Sequence, residues 1–216
     1  MEYCILKILI SSASCRPFGM QRITGSNKSG YFAKNGFIHN AMINIKIQKK
    51  YIAAVYGIYD EPAGAIDDPI KRRPGSVMIR DITDKDDPDG KVCRTYYRSI
   101  LEEKEKGISL VEFILATGRC HQIRVHSTSK GHPLVGDGLY GPNSDDNPND
   151  SFPNSKDMDS IIGRQGLHAY SLTFEHPVTH ENMHFVADLP EDMRALFPSL
   201  SEEFFHELLC KTDGLS

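Results

Sequence analysis

The segment TGRCHQIRVHSTSKGHPLVGDGLYG, residues 117–141, concentrates hydrogen-bond donors in a chain whose formal net charge is −4. The donor side chains between residues 119 and 132 are Arg119, His121, Gln122, Arg124, His126, Lys130 and His132. Side chains of these types hold anions, and the planar fork of an arginine can grip two oxygen atoms at once. The segment therefore raises three alternatives: a metal site, a set of polar turns with a structural role, and an anion site.

A metal site would use the three histidines of this segment, His121, His126 and His132. Their spacings of five and six residues fit neither one face of a helix nor one face of a strand. No carboxylate lies within residues 117–132 that could complete such a site. These observations disfavour a metal, and none is predicted. The structural alternative stays open, because GHP and GDGLYG are turn sequences that can carry polar side chains before and after a helix.

An anion site is the interpretation that the local pattern favours. Gly118 ends a predicted strand and permits a tight turn, and HQIRVHSTS then begins a helix. The N–H groups and the dipole at a helix N-terminus favour a phosphate or a carboxylate. On this helix Gln122 and His126 lie four residues apart and share a face, whereas Arg124 points in another direction. We therefore expect Arg124 to enter a cleft.

The strands that must position this segment are predicted from runs of β-branched and aromatic residues. They lie at 49–59, 93–103, 108–118, 167–179 and 181–190. Turns or loops are predicted at 61–64, 67–76 and 81–91, and a mobile polar loop at 142–160.

Helices are interspersed with these strands. The apolar spacing from Ile38 to Gln48 predicts an amphipathic helix, and Ser199 with Glu202 forms a potential capping box for a C-terminal helix. No strict βαβ rhythm is present. The sequence therefore predicts an α+β fold, with a mixed, mostly antiparallel sheet and flanking helices.

Composition places the chain among globular proteins of a reducing compartment. Its 216 residues suit one domain, and no apolar run is long enough to span a bilayer. The five cysteines are scattered without a C-x-x-C pair, which argues against a disulfide framework and a zinc site. Glu2 and Lys7 interrupt the superficial likeness of the first residues to a signal peptide. A cytoplasmic location is expected.

Charges are segregated along the chain. Before Asp60 the only acid is Glu2, against the basic residues Lys7, Arg16, Arg22, Lys28, Lys34, Lys46, Lys49 and Lys50. Acids concentrate later, at 81–89 and 144–159. Basic segments beside acidic loops are compatible with a groove for a polyanion.

The donor segment and further segments resemble the RluA-type RNA pseudouridine synthases, in the order of that family's motifs. GRCHQIRVH and GHPLVGDGLYG resemble its signature block. KKYIAAVYG resembles the strand that carries an active-site tyrosine, GAIDDPIKRRPGS the loop after it, and GKVCRTYYR the next strand. QGLHAYSLTFEHPVT and FVADLPEDM resemble the closing strands. The resemblance implies a pseudouridine synthase-like catalytic domain at 29–198, with residues 1–28 unassigned and a C-terminal helix and tail at 199–216.

The resemblance implies an enzyme, an isomerase that converts uridine to pseudouridine in structured ribosomal or transfer RNA without a cofactor or a metal. Tyr51 would stack on the uracil and assist proton transfer, and Arg124 would pair with a catalytic aspartate. Leu139 would close the apolar floor under the base. The implied RNA contacts are Lys49, Lys50, Arg119, His121, Gln122 and His126.

One part of the family pattern is missing from the sequence. The family's nucleophile is an aspartate in a pattern like H-R-L-D-x-x-T-S-G, and Thr24 or Gly25 stands where that aspartate belongs. Asp60 and Asp67 lie after the tyrosine strand and match no family position. Arg124 is therefore expected to carry an unpaired charge, which would be costly if it is buried. Weak catalysis and reduced stability are expected.

Two explanations fit the missing aspartate, and a third hypothesis belongs to another class. The chain is either a truncated or scrambled version of an ordinary enzyme, or a degenerate member that binds RNA without isomerising it. The third hypothesis is a protein-interaction domain whose acidic segment 142–160 contacts a basic partner. Such a domain should lack salt-dependent binding to RNA.

Overall fold

The computed structural model describes residues 47–145, 148–175, 180–205 and 207. Its strands are β1 (Gln48–Tyr56), β2 (Ala63–Ile66), β3 (Ile70–Arg72), β4 (Arg80–Ile82), β5 (Thr95–Glu103), β6 (Ile108–Leu115), β7 (Leu167–Glu175) and β8 (Asn182–Val186). Its helices are α1 (Gln122–Ser129), α2 (Ser155–Ile162) and α3 (Glu191–Leu196). These elements confirm the predicted α+β class, a mixed antiparallel sheet with a few helices.

The chain divides into two compact units, each with its own antiparallel pairing. One unit comprises, among the described residues, 51–168 and those from 189 onward, and in it β2, β5, β6 and β1 are neighbours in that order. β5 and β6 form a long hairpin whose register shifts between Ser99 and Leu101. The other unit comprises, among the described residues, 47–50, 169–175 and 180–188, and in it β7 pairs with β8.

The core of the first unit forms where strands have apolar side chains on both faces. Residues 52–56 of β1 and 108–113 of β6 are continuously buried, as near-continuous apolar runs predict for central strands. One core cluster, here called the Ile123 cluster, consists of Ala53, Val55, Tyr59, Val111, Phe113, Ile123 and Leu134. Because Ile123 belongs to α1, this helix is packed directly against the sheet, which fixes the donor segment in place.

Three predicted turns were wrong in part, because they contain short strands. Ala63 and Gly64 of the predicted turn 61–64 begin β2, and β3 and β4 lie within or at the edges of the loops predicted at 67–76 and 81–91. Strands of three or four residues are too short to show a period in the sequence. Their pairing with partner strands, which the sequence does not display, decides their conformation.

The segment 142–160 was predicted as a mobile loop, and its described part is instead anchored. Residues 155–160 belong to α2, and the Asp159 carboxylate accepts hydrogen bonds from the Tyr56 hydroxyl and the Gly136 N–H, both at 2.5 Å. Asn143 donates to the other carboxylate oxygen of Asp159 at 2.7 Å. These contacts between residues distant in sequence stabilise α2, which the polar composition of the segment did not predict.

Two predictions near the chain ends have different outcomes. Residues 202–205 are helical as expected, but the hydroxyl of Ser201, rather than that of Ser199, accepts the Phe204 N–H at 3.0 Å. The Ser199 hydroxyl instead donates to the Glu103 carboxylate. The helix predicted from Ile38 onward lies, except for its last two residues, outside the described residues.

Candidate active site

A buried, bidentate ion pair between Arg124 and Asp137 lies at the centre of the donor segment. Arg124 extends from α1, and its Nε and Nη2 donate to the two carboxylate oxygens of Asp137 at 2.7 and 2.5 Å. The side chains are 11% and 0% exposed. The expectation that Arg124 carries an unpaired charge was therefore wrong. The partner comes from within the signature segment, thirteen residues later, and the fork geometry satisfies both carboxylate oxygens.

Asp137 also organises the loop that follows it. Its Oδ1 accepts the N–H groups of Leu139 and Tyr140 at 2.9 and 3.0 Å, and its backbone carbonyl accepts the Gly141 N–H at 2.8 Å. One carboxylate therefore holds the Arg124 guanidinium and shapes the turn GDGLYG. Leu139, which the family resemblance places under the base, is half-buried in this turn.

Tyr140 connects the ion pair to the surrounding elements. The Arg124 guanidinium lies over the Tyr140 ring, 4.8 Å from its centroid. The Tyr140 hydroxyl accepts the Arg80 N–H at 2.8 Å and lies 3.0 Å from His121 Nδ1. Burial raises the pKa of Tyr140, so its hydroxyl keeps its proton at neutral pH. Arg124 is consequently held from one side by Asp137 and from another by an aromatic face.

His121 occupies a strained backbone position at the N-terminus of α1. It has a φ of 58°, a conformation that costs a non-glycine residue on the order of 1 kcal/mol. Its imidazole packs edge-on against the Tyr140 ring. Burial and the nearby Arg124 and Arg80 charges lower the pKa of His121, so the neutral imidazole predominates at neutral pH.

Tyr51 is half-buried and packs against the Ile123 cluster, together with Leu115 and Leu167. Leu139 packs against a second cluster, formed by Ile70, Cys93, Val125 and Tyr140. Since Ile123 and Val125 flank Arg124 in the sequence, helix α1 contributes to both clusters. Burial raises the pKa of Tyr51, which keeps its hydroxyl neutral.

Gln122, predicted as an RNA contact, lies in the interior with its amide fully engaged. Its side chain is buried, and its Oε1 accepts the Thr117 hydroxyl at 3.0 Å and the Arg119 N–H at 2.9 Å. Its Nε2 donates to the Arg94 carbonyl at 3.1 Å and to Thr95 Oγ1 at 2.9 Å. This side chain fixes the loop between β6 and α1 to the start of β5.

His126, also predicted as an RNA contact, is 0% exposed. Its Nε2 lies 2.9 Å from the Asp68 carbonyl, which can only accept, so Nε2 carries the proton. Its Nδ1 then accepts from Thr95 Oγ1 at 2.8 Å. Burial is the main cause that lowers the pKa of His126. The shared helix face of Gln122 and His126 was correctly predicted, and this face points inward.

The remaining predicted site residues vary in exposure. Arg119 is exposed, and its Nε donates to the Val92 carbonyl at 3.4 Å. On β1, Lys49 is half-buried and Lys50 is buried. His132 stacks on Tyr59 with ring centroids 3.9 Å apart, so the three histidines of the segment have separate partners. Within the described residues no cluster of three potential ligands could hold a metal ion.

Sequence reasoning missed Asp137 and Tyr140 as site residues, although both lie in the quoted segment. The signal that could have found Asp137 is its position between two glycines directly after the apolar Leu134 and Val135. An acid in such a place is seldom buried unless a cation pairs with it. The expected position of the nucleophilic aspartate, near Thr24 or Gly25, lies outside the described residues.

Comparison with known proteins relates this chain to a family. Residues 31–129 match the family model for RNA pseudouridylate synthase. The uncharacterized RNA pseudouridine synthase YjbO of Bacillus subtilis is 38% identical over 168 residues, which are 76% of this chain and 52% of that protein. The chain belongs to the RNA pseudouridine synthase family. The membership expected from the motifs is confirmed.

A second relative of this family carries a more specific name. Ribosomal large subunit pseudouridine synthase D of Nitrosomonas europaea is 37% identical over 154 residues, which are 71% of this chain and 41% of that protein. The chain spans about half the length of the curated relatives it matches.

Solved structures of family members share the fold. Human RNA Pseudouridylate Synthase Domain Containing 1 superposes with a TM-score of 0.58 at 22% identity, covering 85% of this chain and 72% of that one. At this identity the likeness concerns the fold alone. Among the helices of the described ranges, none is long and apolar enough to cross a membrane.

Proposed function

We propose that this chain catalyses the isomerisation of uridine to pseudouridine in structured RNA. The observation that carries the proposal is the buried Arg124–Asp137 pair. In this pair Asp137 fixes the guanidinium of Arg124, the residue that the family pattern pairs with the catalytic aspartate. Ribosomal or transfer RNA is the proposed substrate, and the name of the Nitrosomonas europaea relative supports ribosomal RNA. The cytoplasm is the proposed location.

In the proposed reaction, the bond between uracil N1 and ribose C1′ breaks, the base turns, and a bond forms between C5 and C1′. The proton on C5 leaves and N1 gains one, so the change is redox-neutral and needs no oxidant, reductant or cofactor. The target nucleotide must leave the base stack before it can be reached. The protein's side chains must therefore supply the nucleophilic carboxylate, the proton transfer and the positioning of the base.

Arg124 is proposed to hold the nucleophilic carboxylate of the enzyme. Its Nε and Nη2 are occupied by Asp137, while its Nη1 has no hydrogen-bond partner among the described residues. A second carboxylate would therefore bind on the Nη1 side. Because Asp137 and Tyr140 already fix the guanidinium plane, that carboxylate would meet a preorganised donor.

Tyr51 is proposed to stack on the uracil. Its half-buried ring continues the apolar cluster, and its raised pKa keeps the hydroxyl protonated as a hydrogen-bond donor. Leu139 is proposed as the apolar contact on the side of the Asp137 loop. Lys49, Arg119 and His121 are proposed to contact RNA, whereas the buried Lys50, Gln122 and His126 are proposed to act by positioning the segments around them.

Tritium release from [5-³H]uridine-labelled ribosomal RNA tests the proposal. We expect release by the parent chain and a fall of about a hundredfold or more in Arg124→Lys, because a lysine cannot grip Asp137 and a second carboxylate together. Arg164→Lys is the matched control, since Arg164 makes a bidentate pair with Asp192 on the surface. It should retain the parent rate.

The absence of any aspartate before Asp60 in the sequence supports a second candidate, an RNA-binding member without activity. No tritium release together with tight, salt-sensitive RNA binding would establish this candidate and overturn the proposed catalysis. Release that is unchanged in Arg124→Lys would show activity that does not depend on this site.

A further inference from the structure

The ribbon of β3 and β4 carries two arginines directly opposite each other. In its register Ile70 pairs with Ile82, and Arg72 pairs with Arg80. Residues two apart share a face of a strand, so both arginines extend from the face that carries the two isoleucines. Like charges directly opposite each other destabilise an antiparallel pair. An anion against this face would remove the repulsion.

The face of this ribbon is fixed against the rest of the unit. Ile70, Ile79 and Ile82 pack with Val125 and Tyr140. The Arg80 N–H donates to the Tyr140 hydroxyl at 2.8 Å. The arginine pair is therefore held in a defined position relative to the Tyr140 ring on which Arg124 rests.

The arginine pair borders a basic cleft of about 460 Å³. Its charged lining residues are five cations and one acid: Lys71, Arg72, Arg80, Lys91, Arg119 and Asp89. Lys71 is paired with Asp87 at 2.7 Å. Arg72 and Lys91 are exposed and have no ion pair among the described residues. The cleft thus keeps an excess of positive charge in a chain that is acidic overall.

Exposed apolar side chains accompany these cations. Val77 and Met78, at the tip between β3 and β4, are 75% and 57% exposed, and Val92, beside Lys91, is 71% exposed. The Arg80 Nη1 donates to the carbonyls of both tip residues, which holds the tip next to the charge. Cations beside exposed apolar groups suit a nucleotide chain, which offers phosphates together with sugar and base faces.

We propose that this cleft, lined by Arg72, Arg80, Lys91 and Arg119, is a binding site for the phosphate backbone of RNA. The proposal rests on the proposed function, because it assigns the substrate's flanking backbone to a surface outside the Arg124 site. Arg72 and Arg80 share a phosphate, and Lys91 and Arg119 hold the strand on the other side of the cleft. Contacts to phosphates carry no base specificity, so this site fixes the position of the RNA.

The test measures binding of a fluorescently labelled ribosomal RNA hairpin to the full chain over a range of salt concentrations. The double variant Arg72→Gln/Lys91→Gln should bind on the order of tenfold more weakly at physiological salt, and the slope of log affinity against log salt should fall by about two. The matched control, Lys104→Gln/Lys156→Gln, removes the same charge from exposed side chains elsewhere and should keep the parent slope.

A second measurement needs no RNA. In low-salt buffer without phosphate, Arg72→Gln should raise the melting temperature by about 1–3 °C, because it removes one of two opposed cations. Inorganic phosphate should stabilise the parent more than this variant. A purely structural role for Arg72 predicts a lower melting temperature instead.

The outcomes separate this site from the proposed catalysis. A salt slope that falls by about two in the double variant supports the site whether or not the parent releases tritium. An unchanged slope, an equal loss in the control, or binding of acidic peptides but not RNA would overturn the site, and parent tritium release would still support the catalysis.

Discussion

The Arg124 guanidinium and the Asp137 carboxylate face each other in a two-pronged ion pair, with a buried Asp137 side chain. Removing one partner of such a pair leaves an uncompensated charge away from water. The same carboxylate oxygen that binds Nη2 also accepts two backbone N–H groups of the following turn. The stability of the site loop and the orientation of Arg124 therefore depend on one residue.

Asp137→Asn is expected to destabilise the chain by about 3–5 kcal/mol, because it leaves Arg124 charged and unpaired. Urea unfolding followed by circular dichroism measures this difference. Asp192→Asn is the control, since it breaks the surface pair with Arg164 and should cost at most about 1 kcal/mol. Equal losses in the two variants would mean that solvent reaches Arg124 and that the pair is not structural.

The sequence predicted the strands whose runs of β-branched and aromatic residues are also buried in the folded chain. β1, β5 and β6 carry long runs of β-branched and aromatic residues, and α1 follows a glycine at the predicted place. Side-chain chemistry alone could not say which way α1 faces. Gln122 and His126 were correctly placed on one face, but their buried partners, Thr95 and the Asp68 carbonyl, lie far away in the sequence.

Contacts distant in sequence also explain what was missed. Arg124 was expected to lack a partner because the family's aspartate, which should lie upstream, is missing from the sequence. Asp137 reaches Arg124 only because the chain turns back after α1. Likewise α2 is anchored by Tyr56, almost a hundred residues earlier. Such pairings depend on how the helices and strands pack, and the local hydrophobic periodicity of the sequence does not predict them.

Gln122→Ala is expected to cost about 2–4 kcal/mol, because the amide makes four interior hydrogen bonds and its loss leaves buried groups unsatisfied. Thermal and urea unfolding measure the loss. Gln165→Ala, at an exposed position, should be close to neutral.

The same variant separates positioning from RNA contact. Where Gln122→Ala remains folded, the salt slope of RNA binding should equal that of the parent, since a buried neutral amide releases no counterion. A reduced slope with unchanged stability would contradict the positioning role.

Because of His126, we expect the free energy of unfolding to decrease in mild acid. Burial holds the pKa of His126 below its ordinary value of 6.5, so the unfolded chain binds the proton more readily than the folded chain. The stability that this residue contributes is complete above about pH 6.5 and is lost as pH falls through the lower folded-state pKa. Urea unfolding between pH 7.5 and 5 should show a steady decline.

His126→Asn should flatten this decline, because the titrating group is gone. His121→Asn is the comparison, since the pKa of His121 is also lowered but its side chain is only half-buried. We expect His121→Asn to retain most of the dependence. A decline that persists unchanged in His126→Asn would assign the acid sensitivity to other groups.

Gly136, directly before Asp137, has a φ of 71°, and a Cβ there would lie 2.0 Å from the Arg164 carbonyl oxygen. Gly163 has a φ of 62° with open space around it. Alanine at either position incurs the left-handed backbone cost of about 1 kcal/mol, but only Gly136→Ala must also displace backbone. We expect Gly136→Ala to be less stable than Gly163→Ala by roughly 2 kcal/mol or more in urea unfolding. Equal stabilities of the two variants would show that the backbone around Gly136 shifts at little cost in free energy. The Asp137 carboxylate would then not be rigidly placed.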